Sequence, residues 1–222
     1  MPFQLRQNLF WCEFAGRAVF LDVEADRYFC LPSDANAAFL RLATGDAEPR
    51  DAERLQMLIS RGILIAGGTS ATIEAPPTIE AAERDLLDEP HPSSGLYSVL
   101  RELVAEVLAI RLLRTREFSE VLEMVRRKGP KHRRPPRDPN SLLQAIAGAS
   151  DAASYLMRVQ DRCLVRALAV HRICKKYGIR PKLVFGVIAH PFAAHSWDQL
   201  GNKVVVGGFE HARLYTPILV LE

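Results

Sequence analysis

The sequence contains no apolar run close to the roughly 20 residues that a membrane-spanning helix requires. Its opening stretch, MPFQLRQNLFW, lacks the charged segment followed by an apolar one that marks an export signal. Cysteines are few, and they show neither CxxC pairs nor the spacing of a disulfide framework. The four are Cys12, Cys30, Cys163 and Cys174. These absences argue against integral membrane and disulfide-stapled secreted classes, and they predict a reduced, cytoplasmic protein.

The chain also lacks a strong overall charge. Its 222 residues carry a net charge of +3, but the stretch RRKGPKHRRPPR at 126–137 contains seven Lys or Arg. Setting that stretch aside takes the remaining chain from +3 to −4, so the basic character is local. A single basic run is more often a solvated segment than a nucleic-acid site. The composition therefore predicts no nucleic-acid partner.

What is present in the first 66 residues is a pattern of short strands and helices. Three apolar-rich runs, LFWCEFA, RAVFLDV and DRYFCLP, are separated by turn-like breaks and predict three strands. Two helices follow, DANAAFLRLATG after the cap Ser33 and then DAERLQMLISRG, before a short strand, ILIAGG. This order predicts a small winged-helix-like domain at 1–66.

The composition changes twice after residue 66. Residues 67–94 are rich in Gly, Ser, Thr, Pro and Glu and predict a linker. Residues 95–222 predict two helices, a basic proline-containing loop, and a third helix that begins at Asp161 and ends at Gly178. The strands KLVFGVIA, AHSWDQL, KVVVGG and YTPILVLE follow. Helices followed by a sheet indicate an α+β fold class.

Cys163 is the cysteine with a chemically suitable position. It lies two residues after the predicted cap Asp161, so its thiol belongs to the first turn of a helix. Unpaired N–H groups and the helix dipole favour a thiolate there. Cys174 lies in the last turn of the same helix, where the dipole opposes a thiolate. For a lone cysteine, a buried structural role is the commoner case.

His195 strengthens the catalytic interpretation. It stands in FAAHSWD at the start of a predicted strand, where a fixed backbone can aim its ring at a helix end. A helix N-terminus bearing Cys beside a strand bearing His is an arrangement used for nucleophilic catalysis. The backbone N–H of Cys163 and the Gln160 side chain are candidate oxyanion donors, although a solvent-facing Gln160 is the commoner case. No spacing of His, Cys and acidic residues predicts a metal site, and we predict no cofactor.

The stretch RCLVRALAVHRICKKYGIRPKLVFGVIAHPFAAHSWDQ, with YTPILVL near the end, resembles the core of the transglutaminase-like superfamily. It looks most like the leader peptidase, or B protein, of lasso-peptide biosynthesis, a cysteine protease with a transglutaminase-like (papain-like) domain. The first 66 residues resemble the leader-recognition domain of such pathways, which that family includes in fused forms. The resemblance implies that Cys163 is the nucleophile and His195 the general base, which then protonates the leaving amine. It also implies a precursor peptide as substrate and an ATP-dependent, asparagine-synthetase-like ring-closing enzyme as partner.

The sequence departs from that family at the third catalytic position. The family usually carries an Asp on the strand after the histidine, but the matching residues here are Gly207 and Gly208. Asp198 is offset by three from His195 and so points to the other face of a strand. Glu210, reaching diagonally from the facing strand, is the predicted third member. A dyad assisted by a backbone carbonyl or a water is an equally open alternative.

The first domain is predicted to bind the leader by taking it up as an extra strand of its sheet. The edge is the third strand, with Tyr28, Phe29, Cys30 and Leu31, and the facing wall carries Leu55, Leu58 and Ile59. Remote binding of this kind raises the effective concentration of the scissile bond at the active site. Each of these residues also fits a simpler role in the core of a small domain.

Three functions from different classes follow from these observations. The first is the leader peptidase. The second keeps the fold but uses an amine as acyl acceptor, which makes a transglutaminase-like acyltransferase acting on a peptide; hydrolysis adds water to the product and transfer adds the amine. The third is a non-catalytic regulator that binds peptide or DNA. The acidic start of the second helix, at Asp51 and Glu53, argues against DNA, and a steep salt dependence of DNA binding would argue for it.

Overall fold

The computed structural model describes residues 3–67, 73–89, 95–127, 138–156 and 162–222. Within them a β-rich N-terminal part precedes a set of helices and a five-stranded sheet. The mixed α and β fold class predicted from the sequence is confirmed. None of the described helices is both long enough and apolar enough to cross a membrane.

The N-terminal part is a three-stranded antiparallel sheet packed against two helices. Its strands follow one another in the order β2-β3-β4, and the short strands β1 and β5 form a separate antiparallel pair. The elements are β1 (Phe3–Leu5), β2 (Leu9–Phe14), β3 (Arg17–Asp22), β4 (Arg27–Cys30), α1 (Ser33–Thr44), α2 (Ala52–Ser60) and β5 (Leu64–Ala66). The sequence predicted all of these except β1, whose three residues are too few to show a period.

The central strand β3 is buried on both faces. Ala18 and Phe20 lie in a core with the helices of the N-terminal part, whereas Val19 and Leu21 lie in the large core of the C-terminal part. The two sets alternate along the strand because successive side chains point to opposite faces of a sheet. The N-terminal sheet is therefore sandwiched, and strand β2 lies against the last strand of the chain.

Part of the segment predicted as a linker belongs to the fold. Residues 84–85 form β6, which pairs in parallel with β9 of the C-terminal sheet, and a 3₁₀ turn follows at Leu86–Asp88. Leu86 is 1% exposed and lies in the large core. A two-residue strand and a single buried leucine carry too little periodicity to be recognised in a sequence.

The C-terminal part places four helices against a five-stranded sheet of order β10-β7-β8-β9-β6. The helices are α3 (Leu96–Thr115), α4 (Phe118–Arg126), α5 (Pro139–Leu156) and α6 (Cys163–Lys176). The strands are β7 (Lys182–Ala189), β8 (Phe192–Leu200), β9 (Lys203–Val206) and β10 (Thr216–Leu221), with the one-turn helix α7 (Phe209–Ala212) before β10. Helix α5 was not predicted, and it begins at Pro139, inside the expected loop. Proline is well suited to the first turn of a helix.

Helix α3 buries two acidic side chains and exposes several apolar ones. Glu102 and Glu106 are each 1% exposed, while Leu100, Val104 and Val107 are exposed. Burial and the charge of Glu106 raise the pKa of Glu102 to about 8, against the opposing effect of nearby guanidinium groups. The buried carboxyl groups face the side of α6 that carries Arg166, so a polar layer lies beneath the helix that presents Cys163.

Candidate active site

Cys163 is the first residue of helix α6 and is half-buried. The first N–H groups of a helix have no partner within it, and the dipole there is positive. The sequence therefore placed this thiol at the helix end correctly. The predicted cap Asp161 and the candidate donor Gln160 lie outside the described residues, and Arg162 is the residue that directly precedes the helix.

His195 lies on β8, the strand against which α6 packs. The ring is stacked at 6.0 Å from Trp197 and lies 5.2 Å from the ring of Tyr215, centroid to centroid. Strand β9 ends at Val206, and the carbonyl oxygen of the next residue, Gly207, lies 2.8 Å from the Nε2 atom of His195. The aromatic contacts and this hydrogen bond fix the plane of the imidazole.

The hydrogen bond to Gly207 selects the tautomer of His195. A carbonyl oxygen can only accept, so Nε2 must carry the proton and donate. The neutral ring then has its lone pair on Nδ1, so the interaction by which the His195 side chain lowers the pKa of the Cys163 thiol falls to that atom. This is the arrangement a general base requires: one nitrogen held by an acceptor and the other aimed at the nucleophile.

The Cys163 thiol is acidified by its neighbours. Burial raises its pKa, but hydrogen bonds that the thiolate accepts from the His195 ring, once that ring carries the thiol proton on Nδ1, and from the Ser196 side chain and backbone outweigh burial and lower the pKa from 9.0 to about 7. Cys174, on the same helix, shows the opposite: burial raises its pKa well above the ordinary value. A substantial fraction of Cys163 is therefore thiolate at neutral pH.

Replacing Ser196 by alanine should raise the pKa of Cys163, because it removes one hydrogen bond that favours the thiolate. The rate of Cys163 alkylation by iodoacetamide should rise with pH around a midpoint near 7 in the wild type. In Ser196→Ala we expect that midpoint to move upward by roughly half a pH unit or more. Peptide mass mapping follows Cys163 separately from the other thiols, and Ser60→Ala, at an exposed hydroxyl on α2, is the matched control. Equal midpoints for all three proteins would contradict the assignment.

The structure does not bring Glu210 to His195. The prediction required residue 210 to lie on a strand facing the histidine, but the backbone leaves the sheet at Gly207 and Gly208, with φ of +114° and +79°, and then enters α7. The Glu210 carboxylate is exposed and lies 2.6 Å from Nη2 of Arg213. The orienting acceptor for His195 is instead the Gly207 carbonyl.

Gly207 also explains why no aspartate stands at this place. A Cβ on Gly207 would lie 2.5 Å from Cβ of Trp197 and 3.3 Å from Nε2 of His195. Both the positive φ and the close approach require glycine. The absence of a side chain at Gly207 thus lets its backbone carbonyl come close enough to hold the His195 ring, the role that an aspartate was expected to have.

Asp198 serves a different purpose from the one considered for it. It is fully buried, and its Oδ1 lies 3.1 Å from Nδ1 of His171 on α6. Burial raises the pKa of Asp198, partly offset by the bond to His171. This pair ties the helix of the nucleophile to the strand of the base. Sequence reasoning missed it, although an eight-residue offset from Cys163 places His171 on the buried side of the helix.

A cleft of about 440 Å³ opens at Cys163 and His195. Small side chains at Ala193 and Ala194 leave room along one wall, and Arg162 and Arg166 make another wall positive. In the described part of the chain no three His, Cys, Asp or Glu side chains are grouped as metal ligands. The cleft therefore brings together a thiol, an imidazole and positive charge.

The predicted leader-binding residues fall into two groups. Leu31, Leu55 and Leu58 are buried in the core of the N-terminal part and present almost no surface to a peptide. The edge itself is available as predicted, because β4 is the last strand of its sheet. The remaining side chains differ in exposure. Cys30 is exposed, whereas Tyr28, Phe29 and Ile59 are half-buried, and Phe29 stacks on Phe20.

Comparison with known proteins gives one match. The sequence model of a family described as the transglutaminase-like superfamily matches residues 104–220, just over half of the chain, which includes Cys163, His195 and Gly207. Neither the curated proteins nor the solved structures gave a match.

Proposed function

This chain belongs to the transglutaminase-like superfamily, and on that premise we propose that it is a cysteine protease that removes the leader of a ribosomally made precursor peptide. The observation that carries the proposal is the arrangement of three groups. The Cys163 thiol lies at a helix N-terminus, the His195 side chain lowers the pKa of that thiol, and the Nε2 atom of His195 is held by the Gly207 carbonyl.

The chemistry follows from that arrangement. The Cys163 thiolate attacks the scissile carbonyl, and the backbone N–H of Cys163 is placed to stabilise the oxyanion. His195, protonated at Nδ1 by the thiol, passes that proton to the leaving amine, and a thioester remains on Cys163. Water then loses a proton to Nδ1 and attacks the thioester; the C–S bond breaks, the acyl fragment leaves as a carboxylic acid, and the proton on Nδ1 returns to the Cys163 thiolate. Throughout, the Gly207 carbonyl holds Nε2–H and so stabilises the imidazolium.

The N-terminal sheet supports a peptide substrate in particular. The free edge of β4 can take up an extended leader as an additional strand, bound by its backbone. Because Val19 and Leu21 of the neighbouring strand lie in the core shared with the C-terminal part, a leader bound there would be anchored to the part of the chain that carries the cleft. This satisfies the condition under which remote binding raises the local concentration of the scissile bond.

The substrate that best fits the sequence resemblance is a lasso-peptide precursor. On this proposal the protein works in the cytoplasm, beside an ATP-dependent, asparagine-synthetase-like enzyme that closes the ring once the leader is removed. The support is the similarity of the segment from Arg162 to Gln199, together with the reduced state of the four cysteines.

Product masses test the function. Incubation with a candidate precursor, with and without the ring-closing enzyme, should release an intact leader and a core whose summed masses exceed that of the precursor by one water. A parallel reaction in the presence of a primary amine tests the transferase alternative. If the amine is found on the released acyl fragment and the hydrolytic product is absent, the protein is an acyltransferase and the protease proposal is wrong.

A further inference from the structure

Tyr28 is a residue of the N-terminal sheet that faces the catalytic part of the protein. It pairs in register with Leu21, whose side chain lies in the shared core, and Tyr28 packs against the same core. Its ring centroid is 5.5 Å from that of Phe192. Phe192 begins β8, three residues before His195, and the two alanines between them line the catalytic cleft. Tyr28 therefore packs, from a separate part of the chain, against the residue that directly precedes the two cleft-lining alanines.

The neighbourhood of Tyr28 also contains Cys163. Leu164 and Val165, the next residues of α6, pack against the same core as the Tyr28 ring. Burial, and then the negative charge of the Cys163 thiolate, raise the pKa of Tyr28. The phenol is consequently protonated at neutral pH, and it has an O–H to donate.

The hydroxyl of Tyr28 is uncommitted. Among the described residues it has no hydrogen-bond partner, although the side chain is half-buried. A half-buried phenol beside a nucleophile, with a donor that nothing in the described structure uses, is available to a group that is formed during the reaction.

We infer that the Tyr28 hydroxyl is an oxyanion donor, supplied to the catalytic cleft by the N-terminal domain. When the Cys163 sulfur bonds to the carbonyl carbon, the π electrons of the carbonyl move to its oxygen. That oxygen accepts hydrogen bonds from Tyr28 O–H and from the Cys163 N–H. The carbonyl then re-forms as the bond to the leaving group breaks, and His195 gives its proton to a leaving amine. The inference rests on the proposed nucleophilic role of Cys163, but not on the identity of the peptide.

Two reactions of the Cys163 thiol, measured on the full-length protein, distinguish an oxyanion donor at Tyr28 from a residue that acts on the thiol itself. Acylation by p-nitrophenyl acetate passes through an oxyanion, and its first turnover is seen as a burst of p-nitrophenol. Alkylation by iodoacetamide forms no oxyanion. In Tyr28→Phe we expect the acylation rate to fall at least tenfold, while the alkylation rate of Cys163 stays within about twofold of the wild type. Tyr97→Phe, at a position 78% exposed on α3, is the matched control and should change neither rate.

Each alternative result has a defined meaning. If Tyr28→Phe acylates as fast as the wild type, or faster, the hydroxyl is not an oxyanion donor. If acylation and alkylation fall together, Tyr28 acts on the thiol itself and the inference is wrong. If Cys163→Ala gives the same burst as the wild type, the nucleophile is wrong and both proposals fail. If the wild type acylates as expected but cleaves no precursor, the protease proposal fails while the result for Tyr28 stands.

Discussion

Replacing Cys163 by alanine should abolish leader removal, lowering the cleavage rate by three orders of magnitude or more while the precursor still binds. The rate falls because no other described thiol is both acidified and open to the catalytic cleft: Cys12 is buried with its pKa raised to about 12, and Cys174 is buried within α6. Binding persists because the proposed leader site, the edge of β4, is formed by a different part of the chain. Mass spectrometry of the cleavage reaction and a direct leader-binding assay measure the two effects separately.

Cys174→Ala is the matched control for that experiment. It removes a thiol from the same helix, eleven residues further on, where burial has made the thiol unreactive. Cleavage should continue near the wild-type rate. The free energy of unfolding should fall slightly, because removal of the sulfur leaves a small cavity. If Cys163→Ala cleaves as well as the wild type, Cys163 is structural. If the wild type binds the leader but never cleaves it, the protein is a recognition protein that has lost its protease activity.

The positions of the proposed nucleophile and the proposed base could be predicted because local sequence determines them. An apolar helical period that begins at Cys163 places the thiol at a helix N-terminus, and the alternation in the strand that follows fixes the direction of His195. Both features depend on a few neighbouring residues. A family resemblance added their roles, and the matched region covers both.

The group that orients His195 could not be predicted in the same way. The pairing of β8 with β9 shifts between Asp198 and Gln199, and the backbone then turns at two glycines of positive φ. Neither the bulge nor the turn has a side chain to mark it, so counting residues along an ideal hairpin led to Glu210. A backbone carbonyl was the open alternative to Glu210, but backbone carbonyls carry no residue identity, so residue types could not indicate which carbonyl would hold His195.

Burial on both faces of a strand was the second source of difficulty. Val19 and Phe20 are both apolar and fully buried, so alternation does not reveal that the N-terminal sheet has two different neighbours. The sequence predicted Tyr28 on the leader-binding edge strand, and it did not reveal that the Tyr28 side chain packs against the core of the C-terminal part. The buried face of α3 is also hard to predict from its apolar residues, since Glu102 is buried while Leu100 is exposed.

Restoring the aspartate that the resemblance leads one to expect, by Gly207→Asp, should inactivate the protein instead of improving it. The new Cβ would lie 2.5 Å from Trp197 Cβ, a separation that real Cβ atoms essentially never show, and φ at this residue is +114°. Relief requires the backbone to move, which withdraws the carbonyl from His195 Nε2. We expect cleavage to fall at least a hundredfold and the free energy of unfolding to drop by about 3 kcal/mol.

Two further variants separate the cause of that loss. Gly207→Ala introduces the clash without a charge and should lose nearly as much activity, because the steric demand begins at Cβ. Gly201→Ala is the matched control: its φ is +59° and the nearest atom to a new Cβ, Glu80 Oε2, is 3.7 Å away. It should cost only about 1 kcal/mol of stability for the left-handed backbone, with cleavage unchanged. Urea unfolding and cleavage rates measure both quantities. Higher activity in Gly207→Asp would mean that a carboxylate can reach His195, and that the backbone carbonyl is not what holds the base.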